Sequence, residues 1–143
     1  MKRMPYAVLA LLFLFLLPGL SAAQDVQGYI DQGIKHSQAG HYDQALQAFD
    51  QALKLKPNDP ALITFKGIVY YARGQNDRAL KEFEAAIKLN PSFARAYYQR
   101  GMIYLNQEKF HPALADIQKA RNLGYGVDPD FIEMIKRKAA TQK

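Results

Sequence analysis

The fold of this chain is decided by the stretch ALITFKGIVYYARGQNDRALKEFEAAIKLNP, which runs from Ala61 to Pro91. Its landmarks are Ile63, Gly67, Tyr70, Ala79, Phe83, Ala86 and Pro91. The same skeleton occurs 34 residues earlier, at Tyr29, Gly33, His36, Ala45, Phe49, Ala52 and Pro57. It occurs again 34 residues later, at Tyr97, Gly101, Tyr104, Ala113, Ile117, Ala120 and Tyr125. Because a fixed internal period decides the architecture, the sequence predicts three stacked copies of one unit.

Each copy is predicted to hold two helices joined by a short turn. The second helices repeat apolar residues every three or four positions, which marks one buried face of an α-helix. The predicted units are residues 26–59, 60–93 and 94–127. The sequence therefore predicts an all-α stack of antiparallel helix pairs, in which each unit buries its apolar face against its neighbours.

Local signals place the turns inside these units. Gly40 and Gly74 suit the C-terminal ends of first helices, where a left-handed residue is needed. Asp43 and Asp77 follow closely and are expected to cap the second helices. In the third unit Glu108 replaces the glycine, so we expect this turn to be the least regular.

A glycine also recurs inside each first helix, where it costs about 1 kcal/mol relative to alanine. Such a cost, repeated three times, indicates close approach of the paired second helix. We expect a repeated alanine of that helix to lie opposite each glycine, with Phe or Ile filling the space one turn further on. The expected pairs are Gly33 with Ala45, Gly67 with Ala79, and Gly101 with Ala113.

The C-terminal residues 128–143 are predicted to form a capping helix with a basic tail. Asp128 suits its N-cap and Pro129 its first turn. Its expected apolar face consists of Phe131, Ile132, Met134 and Ile135. The basic residues Lys136, Arg137 and Lys138 form either a solvated face or a weak contact with an anionic membrane surface.

The N-terminal segment has the layout of a secretory signal. Lys2 and Arg3 precede an apolar run at residues 6–17, and small residues follow up to Ala23. The run is shorter than the roughly 20 residues that span a bilayer. We expect residues 1–23 to be a cleaved signal peptide that exports the protein, most simply to a bacterial periplasm. An uncleaved N-terminal membrane anchor is the alternative.

Composition excludes several functions. The chain has no cysteine, and its formal charge of +6 is too mild for a nucleic-acid footprint. Its three histidines and few serines form no metal or catalytic pattern, and its glycines form no phosphate-binding loop. Glu82, Glu84 and Asp116 are expected on solvated helix surfaces. The sequence thus predicts no enzyme, no cofactor, no metal and no nucleic-acid partner.

The repeated residues resemble the tetratricopeptide repeat family. Its pattern is a large apolar or aromatic residue, a Gly four positions later, an aromatic three later, then Ala, Phe, Ala and Pro. The resemblance covers Val26 to Val127 and implies a right-handed superhelical stack. One departure concerns the position before each repeated Gly, often Leu in the family, which here holds Gln32, Lys66 and Arg100.

The resemblance also implies a concave wall, built by the first helices, along which peptide ligands lie. The candidate wall residues are Ile34, Thr64, Ile68, Tyr71, Arg95, Tyr98, Met102 and Leu105. Tyr71 and Tyr98 are favoured, because tyrosine is enriched at interaction hot spots. A clamp for a terminal carboxylate is not expected, because the matching positions supply no cation or amide. Ile34, Ile68 and Met102 have ordinary packing between helices as an alternative role.

These features predict a non-catalytic adaptor or scaffold in the cell envelope. Its partner would be a peptide or helix of another envelope protein, bound in the concave groove. The alternative is a structural homo-oligomer that uses the same wall for self-association.

Overall fold

The computed structural model describes residues 18–142 of the 143-residue chain, with side chains from Asp25 onward. This part is all-α and contains seven helices. They are α1 (Pro18–Gln38), α2 (Tyr42–Leu55), α3 (Pro60–Ala72), α4 (Asn76–Leu89), α5 (Ala94–Asn106), α6 (Phe110–Asn122) and α7 (Pro129–Thr141). None of these seven is long and apolar enough to cross a membrane.

The predicted signal peptide falls mostly outside the described residues. Residues 1–17 are not described, and the described part of α1 runs from Pro18. Within the described residues, α1 is continuous from Pro18 through Gly19 to Gln38.

The helices pack in the predicted order. Three close pairs form, α1 with α2, α3 with α4, and α5 with α6. Successive pairs meet through α2 with α3 and α4 with α5, and α3 also touches α5. The last helix, α7, packs against α6 and closes the stack. The predicted all-α stack of helix pairs with a capping helix is confirmed.

The repeated glycines bring the paired helices together. A Cβ built on Gly33 would lie 2.6 Å from Cε1 of Phe49, and one on Gly67 would lie 2.5 Å from Cε1 of Phe83. Close approach is therefore confirmed. The expected alanine partner is wrong, because the nearest atoms belong to the Phe one turn after the alanine.

Three buried clusters form the core, each joining a unit to the helix that follows it. The first centres on Phe49, Leu62 and Val69, the second on Phe83 and Ile103, and the third on Ile117, Ile132 and Ile135. The capping helix supplies Ile132 and Ile135 to the third cluster, as predicted. Met134 does not share this role, because 41% of its surface is exposed.

The turns of the first two units have the predicted glycine conformation, and the third turn has the same conformation at Glu108. Gly40 and Gly74 take left-handed φ values of 75° and 77°, as expected. Glu108 takes φ 57° in the third turn, so a non-glycine residue accepts the same conformation there.

The predicted N-caps Asp43 and Asp77 are wrong. Each helix begins two residues earlier than an N-cap at Asp43 or Asp77 would require, so α2 begins at Tyr42 and α4 at Asn76. Asp43 instead pairs with the guanidinium of Arg73, the residue that follows α3.

Side-chain caps occur at the helices that open with proline. Oδ1 of Asp59 accepts from the backbone N–H of Ala61 at 2.9 Å, just after Pro60. Asp128 does the same for α7, accepting from the N–H of Asp130 at 2.9 Å. The predicted Asp128 cap is confirmed.

Candidate functional site

A cleft of about 170 Å³ opens where the first helices α1, α3 and α5 come together. Its lining residues are Ile34, Ser37, Gln38, Phe49, Phe65, Ile68, Val69 and Arg95. Most of these side chains are apolar, and the polar ones come from the C-terminal end of α1 and the start of α5. The cleft thus draws on all three repeated units.

The floor of the cleft follows from the glycine packing. Phe49 of α2 fills the space that Gly33 leaves and is buried, with an exposed fraction of 1%. Phe65 of α3 stacks on it, with ring centroids 5.4 Å apart and planes inclined by 12°. Phe65 is only half-buried, so one part of its ring remains accessible. The packing that joins α1 to α2 therefore also builds an aromatic surface for the cleft.

A cation lies at one side of this floor. The guanidinium of Arg95 is 4.9 Å from the centre of the Phe65 ring, a cation–π distance. The Arg95 side chain is exposed. Two other arginines, Arg73 and Arg100, each pair with an aspartate. Within residues 25–142, Arg95 has no such ion pair.

The structure brings three predicted wall residues together in this cleft, namely Ile34, Ile68 and Arg95. Thr64 is wrong as a wall residue, because its exposed fraction is 0%. Its hydroxyl donates a 2.7 Å hydrogen bond to the carbonyl of Pro60, one turn earlier in α3. Thr64 therefore faces the core and its polar atom is satisfied inside its own helix.

Tyr98, Met102 and Leu105 do not join the cleft. They are half-buried and pack against the third core cluster, to which the capping helix also contributes. The rings of Tyr98 and Tyr125 are 4.6 Å apart. Tyr98 and Met102 instead line a separate cleft of about 330 Å³ together with Phe131 of α7.

Tyr71 lies between these two regions and links the first helices. Its hydroxyl accepts a hydrogen bond from the side-chain amide of Asn106 on α5. Its ring packs against the second core cluster. Tyr71 therefore contributes to the joint between α3 and α5 and lines neither cleft.

Sequence reasoning missed the aromatic floor. Phe65 occupies the position that holds Asp31 and Gln99 in the neighbouring units, 34 residues away on either side. The sequence could have indicated this floor, because Phe65 is an aromatic residue at a position that is polar in the other two units. Phe49 was recognised only as a core residue, since a landmark of the repeat gives no indication of a nearby opening.

Lys66 and Arg100, the residues before Gly67 and Gly101, both form ion pairs. Lys66 binds Asp50 at 2.8 Å and lies 3.9 Å from Glu82. In the third unit, Arg100 binds Asp116 through two bonds of 2.7 and 2.9 Å. The Asp116 side chain is only 9% exposed, so its expected place on a solvated surface is wrong.

These pairs shift the ionisation of their members. Burial raises the pKa of the Glu82 carboxyl, and the nearby charge of Lys66 only partly opposes this. The hydrogen bond that Arg100 donates to Asp116 raises the pKa of Arg100 against the effect of burial. Both pairs connect helices of the stack, so their role is structural.

The cleft is lined by few polar groups. Among residues 25–142, no cluster of three or more His, Asp or Glu side chains could hold a metal ion. The polar groups of the cleft lining are one hydroxyl, one amide and one cation. These groups could contact a side chain and the backbone of a bound segment.

Two family models match parts of this sequence. The model described as "Tetratricopeptide repeat" matches residues 26–59, and the model described as "TPR repeat" matches residues 67–108. Among curated proteins, none matches this chain.

Solved structures share the fold. The first TPR of Spaghetti (RPAP3), bound to the HSP90 peptide SRMEEVD, is 22% identical with a TM-score of 0.71, over 82% of this chain and 95% of that one. The Sgt2 TPR domain from Aspergillus fumigatus is 22% identical with a TM-score of 0.71, over 80% and 79%. The TPR2B domain of yeast Sti1, in its pHsp70 complex, is 18% identical with a TM-score of 0.70, over 84% and 99%. At these identities the similarity shows the fold alone.

Proposed function

We propose, starting from the tetratricopeptide repeats that this chain contains, that it is a non-catalytic adaptor of the cell envelope. It holds a segment of a partner protein in the cleft between α1, α3 and α5. The observation that carries this proposal is an accessible apolar cleft to which the first helices of all three units contribute. A concave, mostly apolar opening that carries a few polar groups is typical of a binding site.

Two similar structures support a peptide as the occupant. One is described as bound to an HSP90 peptide and another as a complex with pHsp70. The size of the present cleft suits one side chain of such a segment. The residues on either side of that side chain would contact the first helices. Affinity in the micromolar range, about −8 kcal/mol, would suit a small transient surface of this kind.

The proposal is tested by placing a photo-crosslinking amino acid at Ser37, on the rim of the cleft, in cells that express the full chain. The matched control carries the same amino acid at Ala85, on the exposed face of α4. We expect Ser37 to crosslink one defined segment of a partner and Ala85 not to do so. The product should disappear when Ile68 is changed to Arg.

Three outcomes would overturn the proposal. One is an identical set of products from Ser37 and Ala85. Another is a Ser37 product that persists in a folded Ile68→Arg variant. The third is crosslinking of Ser37 to a second copy of this chain, which would support the homo-oligomer. Because Ile68→Arg could impair folding, Arg95→Glu on the exposed rim serves as a second variant, with circular dichroism as the folding control.

We also propose export, with the signal peptide removed after Ala23. The basic start, the apolar run at residues 6–17 and the small residues that end at Ala23 support this location. Cleavage would remove the first turns of α1 and leave all side chains of the cleft in place. Mass spectrometry of the protein recovered from a periplasmic extract should show the loss of residues 1–23. Recovery of the uncleaved chain in the membrane fraction would favour the anchored alternative.

A further inference from the structure

We infer that the cleft selects an internal segment in which one apolar side chain is accompanied by an Asp or Glu a few positions away. This inference rests on the proposed function, because it names the chemistry of the segment that the cleft would hold. It depends on two features of this chain, the Phe65 floor and the cation of Arg95.

The volume of the cleft limits its occupant to one apolar side chain. An apolar cavity of about 150 Å³ in another protein is large enough to hold benzene. The present cleft has about 170 Å³ and is lined by Ile34, Phe65 and Ile68. A side chain between Leu and Phe in size therefore fills it and covers the accessible part of the aromatic floor. Burial of that side chain supplies the non-specific part of the affinity.

Arg95 adds a charge requirement. Its guanidinium carbon lies 4.9 Å from the centre of the Phe65 ring, and its N–H groups lie around the edge of the guanidinium plane. In that arrangement they can donate two parallel hydrogen bonds to a carboxylate. Arg95 is exposed and forms no ion pair with any acidic side chain of residues 25–142. A carboxylate of a bound segment can therefore pair with Arg95.

The remaining lining favours a segment that passes through the cleft over one that ends in it. A terminal segment that also carries an Asp or Glu brings two carboxylates, whereas the lining holds a single cation. Ser37 and Gln38, on the other side, offer a hydroxyl and an amide. These groups suit the backbone N–H and C=O groups of an extended segment. One carboxylate side chain therefore matches the guanidinium of Arg95.

The inference is tested with a phage-displayed library of random twelve-residue peptides fused at their C-termini, so that no peptide has a free carboxyl end. The full chain is the bait, in three forms: wild type, Arg95→Glu and Ile68→Arg. For wild type we expect peptides with a large apolar residue and an Asp or Glu within a few positions. For Arg95→Glu the ratio of acidic to basic residues at those positions should fall about tenfold or more, because like charges are then opposed.

The results separate this inference from the proposed function. Peptides that depend on Ile68 but keep their acidic preference with Arg95→Glu would overturn the inference and leave the cleft as a peptide site. Absence of any peptide enriched by wild type over Ile68→Arg would overturn both. A second variant, Arg95→Gln, removes the charge without reversing it and should weaken the acidic preference to an intermediate value. Circular dichroism of each bait confirms that the stack is intact.

A direct measurement completes the test. The most enriched peptide, amidated at its C-terminus and labelled with fluorescein, is titrated with wild type alongside a copy whose acidic residue is replaced by Lys. The wild type should bind the acidic peptide at least about tenfold more tightly, and Arg95→Glu should reverse that order. Equal affinity of wild type for the two peptides would contradict the role given to Arg95.

Discussion

Replacing Gly67 by alanine tests the packing on which both the stack and the cleft depend. A Cβ at this position would lie 2.5, 2.9 and 3.0 Å from Cε1, Cδ1 and Cζ of Phe83. Optimal separation between non-bonded carbons is about 3.5–4.0 Å. The Phe83 ring would therefore have to move by roughly 1 Å, yet its exposed fraction is 0% and it is packed on all sides.

The expected effect is the difference of two terms. Overpacking of a full core costs about 1–3 kcal/mol, and three short contacts to one ring favour the upper part of that range. Alanine in a helix interior recovers about 1 kcal/mol relative to glycine. We therefore expect Gly67→Ala to lower the free energy of unfolding by about 1–2 kcal/mol. Urea denaturation followed by circular dichroism measures this change, provided that the slope m is unchanged.

The chain offers a matched control in Gly28, which also lies inside a helix. A Cβ there meets nothing within 4 Å, so Gly28→Ala should raise stability by up to about 1 kcal/mol. A second substitution, Phe83→Leu, makes room beside Gly67 and should reduce the loss caused by Gly67→Ala, as a double-mutant cycle would show. If Gly67→Ala behaves like Gly28→Ala, the close pairing of α3 and α4 is wrong.

Three further predictions concern charges and caps. Burial raises the pKa of the Glu82 carboxyl, so the folded state binds this proton more tightly than the unfolded state does. The stability of wild type relative to Glu82→Gln should therefore rise as the pH falls from neutral through that pKa. Urea midpoints at several pH values measure this, and a relative stability that falls on acidification would contradict it. Arg100→Ala leaves the buried Asp116 carboxylate unpaired and should cost about 2–4 kcal/mol by urea denaturation, whereas a loss under about 1 kcal/mol would show that water replaces the pair. Asp59→Ala should cost about 1 kcal/mol because it removes a cap, while Asp77→Ala should stay within about 0.5 kcal/mol, and equal losses in thermal unfolding would refute the assignment of caps.

Much of the fold could be predicted because its signals are local or periodic. The 34-residue repeat and the apolar stripes specify helix pairs and their order along the stack. Pro60 and Asp128 place helix starts through the chemistry of one turn of backbone. The predicted caps Asp43 and Asp77 lie two residues after the actual N-cap positions, His41 and Gln75, because the exact start of a helix depends on how tightly the preceding turn closes.

Less of the candidate site could be predicted. The repeat correctly indicated that Ile34, Ile68 and Arg95 share one side of the stack. It could not show that Thr64 turns to the core, or that Tyr98 contacts Tyr125 and lines a separate cleft with Phe131. Equivalent positions in successive units have the same place in the pattern, but their neighbours differ at the ends of a stack.

The amino-acid sequence by itself determined the unit, its number of copies and the close approach of its two helices, because each follows from spacing along one chain. Only the tertiary structure decided which part of the inner surface stays open. That outcome depends on side chains from three helices, Phe49, Phe65 and Arg95, whose positions meet only after the units have stacked. The physical reason is that periodicity specifies the direction in which a helix face points, whereas exposure depends on which neighbouring atoms fill the space in front of it.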